Sequence, residues 1–82
     1  MNILYALTTE RSVALIEKEN KLVFVVEGKA TKSDVKEEVQ KTYNEKVVSV
    51  RTVNEFRGRK KAIVRFARKG AASDVAAKLK LI

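Results

Sequence analysis

Apolar runs and one alternating stretch predict the strands of the chain. Residues 3–7 are apolar and predict a short first strand, and Lys21–Val26, rich in β-branched residues, predicts a second. Lys46–Phe56 shows the alternation of a longer strand, which a turn at Arg57-Gly58-Arg59 connects to a last strand over residues 61–67. We therefore expect four strands, of which the last two form a hairpin.

The first helix is predicted between the first two strands. Residues Glu10–Glu19 carry apolar side chains at helical spacing. Thr8 or Thr9 can cap the N-terminus of this helix, and Asn20 tolerates the left-handed conformation in which many helices end. The segment is therefore expected to be a capped helix.

Two further helices are predicted by the same spacing. One begins at a Thr31 or Ser33 cap and runs to about Tyr43, and the other follows Gly70, with Ser73 as its candidate cap. The order strand, helix, strand, helix, strand, strand, helix is typical of an α/β (α+β) sandwich whose sheet is at least partly antiparallel. We expect one small domain over residues 1–82.

The composition then removes several classes of function. The 82 residues include no cysteine and no histidine, so the chain has no disulfide framework, no thiolate metal site and no histidine general base. Its serines have no histidine to activate them, and the sequence has no glycine-rich phosphate loop. Residues 1–7 are too short an apolar run for a signal peptide or a membrane span. We expect a non-enzymatic binding protein.

The net charge of +8 is concentrated in one part of the chain. Residues 1–28 carry a net charge of −1 and residues 29–50 a net charge of +1, whereas residues 51–70 carry +7. Five of the eight cations in residues 51–70 are arginine, whose planar fork suits phosphate better than lysine does. A salt-bridged, solvated face would need local carboxylates, and this stretch contains only Glu55. The expected partner is therefore a polyanion, and in particular a nucleic acid.

The segment Arg59–Phe66 partly matches the signature strand of an RNA-recognition motif. Its basic, small, valine and final aromatic positions agree, but Lys61 and Ile63 occupy the positions where aromatic rings stack on bases. The basic residues can still contact the phosphate backbone. Such contacts would recognise the RNA by its shape more than by the identity of its bases. Lys18 and Lys21 are expected to matter much less. The strongest candidates are the cations of the turn, namely Arg57, Arg59, Lys60 and Lys61.

Several short motifs resemble, in their order and spacing, a family of ribosomal proteins. They are Thr9-Glu10-Arg11-Ser12, Leu22-x-Phe24-x-Val26, Ala30-x-Lys32, Val35-Lys36-x-x-Val39, Tyr43-x-x-Lys46-Val47 and Val50-x-Thr52, followed by the basic hairpin and Lys61-Ala62-x-Val64. Over about residues 3–79 the pattern is similar to that of the universal large-subunit ribosomal protein number twenty-three, which lies beside the peptide exit tunnel. The tight link between residues 56 and 61 resembles the short archaeal form, and so does the lack of a basic N-terminal extension.

The resemblance implies a fold, a location and partners. The fold is a mainly antiparallel four-stranded sheet with helices packed on both faces. The role is structural, in the large subunit of the cytoplasmic ribosome. The implied partners are large-subunit ribosomal RNA at the rim of the tunnel, neighbouring ribosomal proteins, and the signal recognition particle or nascent-chain chaperones. No cofactor, metal or membrane span is expected.

The resemblance also assigns functions to residues at the start of the first helix. By spacing alone, Thr9, Arg11 and Ser12 belong to the chemistry of a helix start, whereas the resemblance makes them RNA contacts. Glu10 suits the helix dipole, and the resemblance makes it a candidate for docking factors. Further expected RNA contacts are Lys46 and the pair Lys32 and Lys36, whose charges oppose the dipole of the second helix. Arg51 replaces the asparagine that the family often has at this position, and its guanidinium is expected to bind phosphate instead.

A second class of function stays open at this point. A basic protein-interaction adaptor without a ribosomal role would use the same cations to meet an acidic partner or an anionic surface. Recovery of intact large subunits with the chain would favour the ribosomal role. Recovery of soluble acidic proteins without RNA would favour the adaptor.

Overall fold

A computed structural model describes residues 3–7, 9–54 and 58–79. Within these ranges the elements are β1 (Ile3–Ala6), α1 (Glu10–Glu19), β2 (Lys21–Glu27), α2 (Lys32–Tyr43), β3 (Val47–Asn54), β4 (Arg59–Phe66) and α3 (Ala71–Lys78). The strands form one sheet in the order β1-β2-β4-β3, and all neighbours are antiparallel. The predicted α/β class, the four-stranded antiparallel sheet and the order of the elements are confirmed.

Reciprocal hydrogen bonds fix the starts of the first two helices. The Oγ1 of Thr9 accepts from the backbone N–H of Ser12 at 3.1 Å, and the Oγ of Ser12 accepts from the N–H of Thr9 at 2.8 Å. Thr31 and Asp34 form the same pair at the start of α2, and these hydrogen bonds lower the pKa of the Asp34 carboxyl. As predicted, α1 ends at Asn20, whose φ of 56° is left-handed.

The start of α3 differs from the prediction. The helix begins at Ala71, after a left-handed Gly70 with a φ of 83°. Ser73 lies inside the first turn and is not the cap. A side chain from the end of α1 provides an acceptor instead, because the N–H of Ala72 donates to Oδ1 of Asn20 at 2.9 Å. Sequence spacing within one helix gives no sign of such a distant partner.

The core lies on one face of the sheet. Its members from the strands include Leu22, Phe24, Val26, Ala62, Val64 and Phe66, and its members from the helices are Ile16, Val35, Val39, Val75, Ala71, Ala72 and Ala76. All three helices therefore contribute buried residues to the same core. The other face of the sheet carries charged side chains, such as those of Lys61 and Arg65.

A bulge in β3 changes the strict alternation expected over residues 46–56. The register between β3 and β4 shifts between Val47 and Ser49. Val47 is consequently 2% exposed in the core, whereas Val48 is 53% exposed. The extra residue lets β3 add a side chain to the core at one end while its remaining residues keep their alternation.

The turn between β3 and β4 packs against the end of β2. Gly58 is left-handed, with a φ of 71°. A Cβ atom on Gly28 would overlap the carbonyl group of Gly58, so the close approach of the two backbones requires glycine at position 28. Arg57, one of the four cations predicted for this turn, lies outside the described residues.

Candidate nucleic-acid interface

The face of the sheet opposite the core forms a groove with a volume of about 480 Å³. We term this surface the open face. Its described lining residues are Leu7, Thr9, Arg11, Ser12, Leu15, Lys21, Val23, Ser49, Arg51, Val53, Lys61, Ile63 and Arg65. Five of these are basic, and none of the described lining residues is acidic. The groove is therefore strongly cationic.

The register of the strands brings these cations together. Lys61, Ile63 and Arg65 alternate along β4 and so share one face. Arg51 of β3 lies opposite Ile63, and Lys21 of β2 lies opposite Arg65. Residues that are far apart in the sequence thus become neighbours across three strands.

Lys21 and Arg65 form a cross-strand pair of like charge. They are directly opposite each other in the β2–β4 register, and like charges in that position destabilise an antiparallel pair. An exposed ion pair between Lys21 and Glu19, at 3.1 Å, offsets part of this repulsion. A phosphate bound in the groove would relieve the repulsion further.

The N-terminal turn of α1 forms one lip of the groove. Thr9 and Arg11 are exposed there, and Glu10 is exposed beside them. Ser12, in contrast, is 3% exposed. Its Oγ donates to the carbonyl groups of Leu7 and Thr9, both at 2.9 Å, and accepts from the Thr9 N–H. The hydroxyl group of Ser12 is thus used within the fold, where it bonds to Thr9 and Leu7, and its expected contact with RNA stays a prediction.

The floor of the groove is apolar. Val23 of β2 lies opposite Ile63 of β4, and the Val23 side chain is 5% exposed. Val53 of β3 is 45% exposed, while Leu7 and Leu15 line the side next to α1. The open face thus combines an apolar floor with a cationic rim.

The cations of the hairpin do not form one cluster. Lys61 lines the groove, and Arg59 shares its face, opposite Glu27 of β2. Lys60 points to the other side of the sheet, where its Nζ donates to the carbonyl group of Ala30 at 3.1 Å. The strand alternation therefore divides the predicted site between two sides of the molecule.

Three predicted lysines lie away from the groove. Lys32 and Lys36 are exposed on α2, whose buried residues belong to the core side of the sheet. Lys46 is exposed just before β3, where its carbonyl group accepts from the N–H of Ala67 at 2.9 Å. None of these three lysines is among the described residues that line the open face.

Two cations of the groove, Lys21 and Arg65, are absent from the predicted set of contacts. Lys21 lines the groove, although the sequence analysis predicts that it matters much less than the cations of the turn. Both could have been found from the alternation of side chains along their strands. Lys21 is two residues before Val23, and Arg65 is two residues after Ile63, so each shares a face with a floor residue.

Arg68 shows that part of the charge in residues 51–70 is neutralised internally. Its guanidinium donates to Glu45 at 2.6 and 3.2 Å and to Asp74 at 2.7 Å. The carboxylates raise the pKa of Arg68, and the guanidinium holds the pKa of Glu45 below its ordinary value of 4.5. Both partners lie outside the stretch 51–70, so a local count of charges misses them.

The described ranges contain neither a candidate metal site nor a helix that could span a membrane. No group of histidine, cysteine, aspartate and glutamate side chains in residues 3–7, 9–54 and 58–79 is arranged to hold a metal ion. Among the helices of the same ranges, none is long and apolar enough to cross a membrane.

Comparisons with known proteins identify the family. Residues 2–78 match the family model described as ribosomal protein L23. The large ribosomal subunit protein uL23 of the archaeon Methanococcus vannielii is 42% identical over 73 residues, which cover 89% of this chain and 85% of the relative. The chain therefore belongs to the ribosomal protein L23 family, and its role is that of a structural, non-enzymatic protein of the large ribosomal subunit.

Proposed function

We propose that the chain binds large-subunit ribosomal RNA through the open face of its sheet, at the rim of the peptide exit tunnel. One observation carries this proposal: α1, β2, β3 and β4 together place five cations around one groove, and none of its described lining residues is acidic. Such a surface attracts a polyanion and gains free energy by releasing the counterions of the RNA.

The types of cation in the groove suit the phosphate backbone. Arg11, Arg51 and Arg65 each present a planar fork that can hold two phosphate oxygens. The exposed hydroxyl group of Thr9 lies at the lip, within the same lining, and suits a ribose or phosphate oxygen. The binding is thus expected to depend on the shape and charge of folded RNA.

The remaining predicted contacts form an outer part of the proposed interface. Lys32 lies in the first turn of α2 and Lys36 in the second, where the helix dipole disfavours positive charge. A phosphate outside the helix would offset that cost. An RNA that wraps around the hairpin end of the sheet would meet both sides. The outer contacts comprise Lys32, Lys36, Arg59 and Lys60, together with Lys46 at the other end of β3. Arg57, which lies outside the described residues, is proposed from its charge alone.

Glu10 is proposed as a docking contact for nascent-chain factors, such as the signal recognition particle or chaperones. Its side chain is exposed in the first turn of α1, beside the lip of the groove. A carboxylate there is stabilised by the helix dipole and is available to a basic partner surface. Glu10→Gln should weaken the docking of such factors while leaving RNA binding unchanged.

The RNA-binding proposal is tested with two triple variants that remove the same charge. One carries Arg51→Gln, Lys61→Gln and Arg65→Gln on the open face. The matched control carries Lys18→Gln, Lys41→Gln and Lys78→Gln, three exposed positions on the helices. Each variant loses three positive charges, so the net charge falls from +8 to +5 in both.

We expect only the open-face variant to lose co-sedimentation with large subunits. The slope of log affinity against log salt should become shallower by about 2–3, since each phosphate contact contributes about 0.7–0.9. Equal losses in the two variants would contradict the proposal, because they would assign binding to net charge and not to this face. Recovery of acidic proteins without RNA would favour the adaptor instead.

A further inference from the structure

We propose that the groove of the open face holds one unstacked nucleotide of the bound RNA, with its base against the apolar floor and its phosphates on the arginine rim. This inference rests on the proposed function and gives it a specific ligand. It concerns the middle of the groove, between the lip formed by α1 and the edge strand β3.

The apolar floor is the first reason. A surface that only neutralised phosphates would gain nothing from exposing Val53 and Ile63 between its cations. A nucleobase has flat apolar faces that such a floor can cover, and covering it removes apolar surface from water. The volume of about 480 Å³ lies within the range of roughly 300–1,000 Å³ found for sites that enclose small molecules.

The arginines supply the stacking surface. Arg51 lies directly across the strand pair from Ile63, so its side chain starts at the edge of the floor. Arg65 lies two residues further along β4 on the same face. Guanidinium planes stack on unpaired bases as aromatic rings do. The lack of aromatic residues at positions 61 and 63 therefore removes ring stacking but leaves stacking on arginine.

The positive charge of the groove favours a nucleotide over an apolar peptide as its ligand. An apolar peptide segment in the groove would remove its cations from water without supplying an anion, which is costly. A nucleotide brings a phosphate on each side of its base and matches both parts of the site. The exposed hydroxyl group of Ser49, which lines the groove, suits the ribose.

The test uses the full chain and three RNA probes: a perfect duplex, the same duplex with one bulged nucleotide, and the bulged duplex with an abasic nucleotide in the bulge. The bulged duplex should bind at least about fivefold more tightly than the other two, which is the lower limit expected for stacking one base. Since the abasic probe has the same phosphates and the same flexible bulge, it isolates the contribution of the base.

A pair of uncharged variants locates the base. Ile63→Thr keeps a β-branched residue but removes apolar surface from the floor, and it should abolish most of the preference for the bulged probe. Val48→Thr makes the same kind of change at a 53% exposed position outside the groove, and it should keep the preference. Thermal unfolding of both variants verifies that the sheet is intact.

The outcomes separate this inference from the proposed function. Equal and steeply salt-dependent binding of all three probes would overturn the nucleotide site and leave RNA binding by the open face intact. A preference that survives in Ile63→Thr would overturn the placement of the base in this groove. Binding without salt dependence, or no binding, would contradict the proposed function itself.

Discussion

The two faces of the sheet are formed by alternate residues of the same strands. Val64 of β4 is fully buried in the core, whereas its neighbours Ile63 and Arg65 line the open groove. A step of one residue along a strand therefore separates the interior from the proposed binding surface. Because the cations of the open face are not part of the buried core, charge there can change with little effect on the stability of the fold.

The largest difference between the faces should be seen on truncating a side chain. Phe24→Ala removes a fully buried ring that stacks on Tyr43, with ring centroids 6.2 Å apart, and should lower the free energy of unfolding by about 3–5 kcal/mol. Val53→Ala, on the open face, should change it by less than about 0.5 kcal/mol. Urea unfolding of both variants measures the comparison. Similar losses would show that the open face also supports the fold.

A slightly smaller effect is expected at the end of α1, where the side chain of Asn20 connects α1 to the end of β4 and the start of α3. The Nδ2 of Asn20 donates to the carbonyl groups of Phe66 and Arg68, at 3.0 and 2.8 Å, in addition to the bond that Oδ1 accepts from Ala72. Asn20→Ala should lower the free energy of unfolding by about 2–4 kcal/mol, since it removes two part-buried hydrogen bonds and one exposed hydrogen bond.

Asn44 provides the matched control for Asn20. It ends α2 with nearly the same left-handed backbone, at a φ of 55°. Asn44→Ala should therefore cost only the penalty of a left-handed alanine, about 1–2 kcal/mol. Equal losses in the two alanine variants would mean that the long-range hydrogen bonds of Asn20 contribute nothing to stability.

Gly28→Ala tests the point where core and hairpin meet. The added methyl group would overlap the Gly58 carbonyl, so we expect a loss of about 1–3 kcal/mol in unfolding free energy and a displaced turn. RNA affinity should fall as well, because the turn carries cations of the proposed interface. Ser73→Ala, a change within α3 on the core side, should leave RNA affinity unchanged. A stable Gly28→Ala variant with wild-type affinity would contradict the tight packing of the turn.

The smallest predicted effect concerns pH. Arg68 lowers the pKa of Glu45 in the folded chain below its ordinary value of 4.5. As pH falls past 4.5, the unfolded chain therefore binds this proton before the folded chain does. The stabilisation is complete above pH 4.5 and is lost as pH falls through the lowered pKa. Glu45→Gln should have a flatter loss of stability with acid, measured by thermal unfolding between pH 6 and roughly pH 3. An unchanged acid profile would show that the ion pair is not stabilising.

Local chemistry made much of the fold predictable from sequence. The cap at Thr9, the stop at Asn20 and the apolar run of β2 each depend on nearby residues, so the sequence pattern was sufficient to predict them. The bulge after Val47 and the internal pairing of Arg68 depend on residues that meet only in the folded sheet. The groove could not be predicted without the register of the strands, because residues from different strands line it together.

The predicted binding residues divide in the same way. Arg11, Arg51 and Lys61 were found by charge and resemblance, and the structure places them around one groove. Ser12 lines the groove but is nearly buried, which cannot be read from a motif, and its RNA contact stays a prediction. Lys21 lies in a segment of nearly neutral charge, so the distribution of charge did not point to it, and its phase with Val23 and its register with Arg65 place it in the groove.

The central claim is that the open face forms the main contact with RNA. Lysine modification with mass spectrometry, on the chain alone and bound to purified large-subunit RNA, tests it directly. The account predicts that Lys21 and Lys61 become protected by the RNA, while Lys41 and Lys78 on the helices keep the reactivity of the free chain. Protection of the helical lysines with continued reactivity of Lys21 and Lys61 would contradict it.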